Sequence, residues 1–282
     1  MLILGVADNL VRLIAADIGL HQFHFVRSLF ALVILLAFAR WRETPLRWSS
    51  RGAVIWRGIL VGAAMYLYFA SLAFLPIGSV VAGLFTAPVF VLLINVSVYG
   101  HRLRAAHVLA VTSGFVGMVC ITLSDQGQIS LAHTVPVLAG LFYAVSNVVA
   151  REYCRGESTI TLSMSVFAIL GILGGIAMLI LANTDLSGVL DTSDFVTASW
   201  QPLTSSALAL TAFHALCASC AIGLLTFAYQ HGLSTRVAVL EYVLLVFASL
   251  FAWLFWNELP TQRALLGMAM IALSGIVITR RG

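Results

Sequence analysis

Long apolar runs, broken at intervals by proline, glycine or clustered charge, extend from the first residues of the chain to the last. A helix needs about 20 such residues to cross the hydrocarbon core of a bilayer. The pattern predicts ten crossings, at 2–17, 22–39, 54–75, 77–99, 105–123, 131–150, 160–182, 206–231, 236–256 and 262–279. Only "LPIGS" separates the third from the fourth, so that break rests on Pro76 and Gly78. The first run, "MLILGVADNLVRLIAADIG", has no basic start and no small-residue cleavage site, and reads as a membrane helix, not a signal peptide.

The pattern also repeats. Val89-Phe90 in "APVFVLL" recurs as Val246-Phe247 in "LLVFASL", and the late glycine of "SGFVGMVCITL" recurs in "MIALSGIVITR" (Gly117 and Gly275). The chain therefore divides into two five-helix halves, 1–124 and 130–282. Five is odd, so the second half must lie inverted relative to the first, an arrangement of many secondary transporters.

Charge supplies an orientation. All fifteen basic residues are Arg. With the N-terminus cytoplasmic, Arg40, Arg42, Arg47, Arg51, Arg57, Arg102, Arg104, Arg151, Arg155, Arg236, Arg280 and Arg281 fall in or beside inside connections, and only Arg263 falls outside. That bias predicts both termini on the cytoplasmic side of an inner membrane. The longest outside connection carries Asp185, Asp191 and Asp194 and no Arg. Trp41, Trp48, Trp56, Trp200, Trp253 and Trp256 all fall near predicted boundaries, as an interfacial belt does.

Composition closes off other classes. The chain is 61% apolar and 9% charged, with mean hydropathy +1.03. A soluble domain carries roughly 25% charged residues. The expectation is an all-α polytopic membrane protein without a separate soluble domain, and the net charge of +4 is no nucleic-acid signal. Cys217 and Cys220 spell CxxC inside an apolar run, and His21 and His24 lack a third ligand, so no metal and no cofactor is assigned. Gly58 with Gly62 and Gly171 with Gly175 have GxxxG spacing, read as tight helix contacts within one chain, and a monomer is expected.

Polar groups inside the apolar runs are the candidate chemistry. A charge at the bilayer centre costs about 2.5–3.5 kcal/mol even on a lenient scale. Glu241 lies about 9 Å into its helix at 1.5 Å per residue, with Tyr242 beside it. Asp8 and Arg12 share a helix face and can pair, either structurally or to receive a zwitterion. Tyr143 and Asn147 share a face of the sixth helix; His214 is a candidate proton carrier; Tyr66 is chosen over Tyr68 to face the interior. Arg27 is read as snorkelling to the outer surface. Pro88, in mid-helix, predicts a kink and a candidate hinge.

The segments "LEYVLLVFASLFAWLFWNELPTQRALLGMAMIALSGIVITRR", "LILGVADNLVRLIAADIGLHQFHFVRSLFALVILL" and "LPIGSVVAGLFTAPVFVLLINVSVYGHRLR" resemble the two repeats of the EamA family, within the drug/metabolite transporter superfamily. His101 departs from the Glu common after the fourth helix, while Glu258 keeps that position in the second repeat. The resemblance implies ten helices, alternating access and no enzymatic activity, with export of amino acids or similar small metabolites. Import or exchange of a nucleotide-like or drug-like metabolite stands as the alternative, as does a non-transport intramembrane protein.

Overall fold

The computed structural model describes residues 1–46, 49–71, 74–75, 77–100, 104–122, 131–183 and 194–281. Within them the protein is helical throughout: α1 (Leu2–Ile14), α2 (Leu20–Trp41), α3 (Arg51–Ser71), α4 (Ile77–Leu84), α5 (Ala87–Ser97), α6 (Ala105–Thr122), α7 (Thr134–Tyr153), α8 (Thr159–Asn183), the single turn α9 (Asp194–Thr197), α10 (Ser205–His231), α11 (Ser234–Glu241), α12 (Val243–Trp256) and α13 (Gln262–Arg281). Eight helical segments are long and apolar enough to cross a membrane, counting α4 with α5 and α11 with α12 as one each. The shorter apolar α6 is a ninth, and the 13-residue α1 brings the helices of this arrangement to ten.

The ends follow local chemistry. The Thr204 side chain caps α10 by accepting from the Ala207 amide at 3.1 Å. Asn257 closes α12 in the left-handed conformation, φ 57°. The fourth and ninth crossings are both broken, and at equivalent places. Pro88 lies in the first turn of α5 and has no amide to extend α4, so the first break falls at Phe85–Thr86. The second falls at Tyr242, which is Phe85 advanced by the 157-residue repeat. No proline causes it, and periodicity had implied one helix over 236–256. The two equivalent rings stack on each other at 6.0 Å.

Packing between the halves follows a pseudo-two-fold rule. α6 lies along α13 and α2 along α8; α3 packs on α7 as α10 packs on α1; α3 packs on α8 as α10 packs on α2; α4–α5 pack on α7 as α12 packs on α1. Both GxxxG pairs serve contacts inside the chain. A Cβ on Gly58 would come within 3.1 Å of the Ser165 carbonyl of α8, and one on Gly171 within 3.0 Å of Ser28 on α2.

We call the face carrying both chain ends the terminal face and the other the far face. Arg57 is not a connection residue: it is buried in the second turn of α3, which removes it from the charge tally and leaves the bias standing. Pro76, His101, Arg47, Arg102, Trp48, Asp185 and Asp191 lie outside the described residues.

Candidate functional site

Polar side chains from both halves gather in two tiers. The tier nearer the far face is built on α1, α2, α3 and α10. Arg27 lies seven residues into α2, about 10 Å from its far end at 1.5 Å per residue. It is buried, with the rings of Phe23 and Phe167 4.8 and 5.9 Å from its guanidinium carbon. Its Nη2 bonds His24 Nδ1 at 3.0 Å. Snorkelling is therefore ruled out: the aromatic rings enclose the guanidinium where the helix-end rule had sent it outward. Asp8 on α1 is solvent-accessible, yet the groups it senses electrostatically are Arg27 and Tyr68 on α2 and α3. His214 on α10 meets the edge of Phe23, with ring centroids 5.1 Å apart.

The second tier is built on α3, α7, α10 and α11. Glu241 ends α11 about 10 Å from the terminal-face end of that helix. Both carboxylate oxygens are engaged: Tyr143 of α7 donates to Oε2 at 2.9 Å, and Tyr229 of α10 donates to Oε1. Two hydroxyl donors on a buried carboxylate are what make its placement tolerable. Asn147, one turn beyond Tyr143, is buried beside both hydroxyls with no partner for its Nδ2 among the described residues. Arg57 donates from Nη1 to the Leu162 carbonyl at 3.1 Å and from Nη2 to Thr226 Oγ1 at 2.9 Å, tying α3 to α8 and α10. Below it, burial pushes the Cys154 thiol up to about 11 against the pull of Arg57, so it is a neutral packing group.

The structure separates some residues that spacing had joined. Arg12 pairs with Glu258 Oε1 at 2.7 Å, not with Asp8, and lies over the Trp256 ring at 4.9 Å. Glu258 emerges from the αL turn after α12, directly above the end of α1, so the longer-range partner wins. Tyr66 packs against His21 and His24 at 5.9 and 5.2 Å, within electrostatic range of Arg27, while Tyr68 lies within electrostatic range of Asp8. Tyr242 is fully buried at the interface between repeats, against Phe85, and bears on Glu241 only through the break. Pro88 opens α5 at the other break. Asp8, Tyr66, Tyr143, Asn147, His214 and Glu241 all belong to the two tiers. His24, Arg57, Thr226 and Tyr229 were missed. Histidine three residues before arginine was a signal for the first, and an arginine within an apolar run for the second; nothing local marks Tyr229.

The profile of the EamA-like transporter family matches residues 1–123 and 131–280. The pseudopaline exporter CntI of Pseudomonas aeruginosa is 24% identical over 98% of this chain and 92% of its own length. A riboflavin transporter of Rhizobium johnstonii is 26% identical over 79% of this chain and 68% of its own. A solved crystal structure shares the fold with a TM-score of 0.79 at 18% identity, covering 99% of this chain and 93% of that one.

Proposed function

The chain belongs to the EamA-like transporter family, and from that premise we propose that it exports a small zwitterionic metabolite, an amino acid or close analogue, across the cytoplasmic membrane. It is a multi-pass transporter of small molecules and not an enzyme. The observation that carries the finer reading is Asp8 opposite Arg27. The two come from consecutive helices, Asp8 lies within electrostatic range of Arg27, and Asp8 makes no hydrogen bond or ion pair among the described residues. Arg12 is engaged by Glu258 and leaves that carboxylate available for an ammonium group.

Transport proceeds by alternating access, with the broken fourth and ninth helices as flexible points and Pro88 as a hinge. The arginine bias supports cytoplasmic termini, and the protein works as a monomer. Outward direction is supported by the exporter relative.

Purified protein in liposomes should take up labelled L-amino acids in counterflow above protein-free vesicles. Asp8→Asn should cut that flux at least about tenfold, the loss of one charge-assisted contact. No flux with any of the twenty amino acids would sink the reading. A second reading, an anionic nucleotide-like substrate, gains from Arg57 as a second buried cation. It loses because both Arg57 Nη groups are already engaged.

A further inference from the structure

A guanidinium has five N–H donors and no acceptor. In the contact between Arg27 Nη2 and His24 Nδ1 at 3.0 Å, the arginine must donate and Nδ1 must accept. His24 is then a neutral imidazole whose hydrogen is on Nε2, and it adds no positive charge beside Arg27. Phe23 and Phe167 lie 4.8 and 5.9 Å from the guanidinium carbon. Two rings and one histidine together leave the guanidinium little freedom to turn.

What remains of Arg27 decides its use. Its Nε is enclosed, with no hydrogen-bond partner among the described residues. Its Nη1 also makes no hydrogen bond among the described residues, but it is not enclosed. Nη1 thus keeps both its hydrogens and Nη2 keeps one, so the guanidinium still has donors to offer a carboxylate. Asp8 is within electrostatic reach but accepts no hydrogen bond from it.

We propose that His24 is a positioning residue: it holds Arg27 so that the guanidinium reads a free carboxylate on the substrate, and so makes that carboxylate obligatory. The inference rests on the zwitterion reading only for naming the molecule that bears the carboxylate.

The test is counterflow of the best-transported L-amino acid, competed by its amide, which keeps the ammonium group and loses the carboxylate. The protein should prefer the amino acid by at least about 30-fold, since a site built to bond a polar group rejects the analogue lacking it. His24→Phe keeps a ring of similar size but offers no acceptor. It should narrow the preference to about threefold or less by weakening the amino acid alone, as loss of one specific contact does. His24→Asn, whose Oδ1 can take the place of Nδ1, should restore most of it. Equal loss of flux for acid and amide in both variants would mean that His24 only packs, and overturns the proposal. So does a wild-type protein that handles the amide as well as the acid, whether or not either variant folds.

If no amino acid is carried, the functional reading fails on its own. Carboxylate recognition is then read from thermal unfolding of the purified protein with 3-phenylpropionate and with its amide. Stabilisation by the acid alone, lost in His24→Phe, upholds the proposal; equal effects of acid and amide overturn it.

Discussion

At the scale of single residues, the cost of a buried polar group is set by its partners. Glu241 is tolerated because two tyrosines from different helices each give it a hydrogen bond. Tyr229→Phe removes one donor and leaves that carboxylate oxygen buried and unmet. We expect a loss of about 1–3 kcal/mol in thermal unfolding of the purified protein. Tyr143→Phe should act similarly, and the double variant should depart from the sum, because both act on one carboxylate. Strict additivity would mean that the two hydroxyls do not share Glu241. Arg57 obeys the same logic with carbonyl and hydroxyl acceptors. A buried cation held this way is a staple, whereas the exposed arginines around it bias orientation and contribute little to packing.

At the scale of elements, the breaks in the fourth and ninth crossings and the glycines around them form one device. Thr86 Oγ1 donates to the Gly83 carbonyl at 2.6 Å, and α7 closes directly over that turn. A Cβ on Gly140 would meet Thr86 Oγ1 at 2.5 Å and the Gly83 and Leu84 carbonyls at 2.7 and 2.9 Å. Gly140 therefore permits a helix to touch irregular backbone. Gly140→Ala should lower stability by about 1–3 kcal/mol, the usual cost of overpacking. Gly223, in the interior of α10, has no atom of the described residues within 4 Å of an added Cβ. Gly223→Ala should be neutral or stabilising by up to about 1 kcal/mol, from helix propensity. If the two substitutions had equal effects on unfolding temperature, close approach at the break would not be what fixes Gly140.

At the scale of the whole molecule, the two halves touch through exchanged pairings, and the Phe85–Tyr242 stack joins equivalent positions of the two. The Arg12–Glu258 pair spans the halves at the far face with its side chains 63% and 56% exposed. Such a pair is worth about 0–1 kcal/mol. Arg12→Ala should thus leave unfolding almost unchanged. It should shift the balance between far-face-open and far-face-closed states, read by thiol labelling of a cysteine placed beside Asp8. Labelling that does not change would remove the pair from any gating role.

Crossings, their number and the antiparallel relation of the halves were legible in the sequence. Apolar run length, arginine placement and an odd helix count per half are local or summed properties, and they survive any rotation of a helix about its axis. Which polar groups meet was not legible, because that depends on the rotation and contact of helices far apart in the chain. Arg12 finds Glu258, 246 residues away, before Asp8, four away. Arg27 and Arg57 turn inward, and Tyr229 reaches Glu241 across the α10–α11 corner. Hydropathy set where each charge lies in depth; only packing chose its partner, since a buried charge persists where neighbouring helices bring donors or acceptors to it.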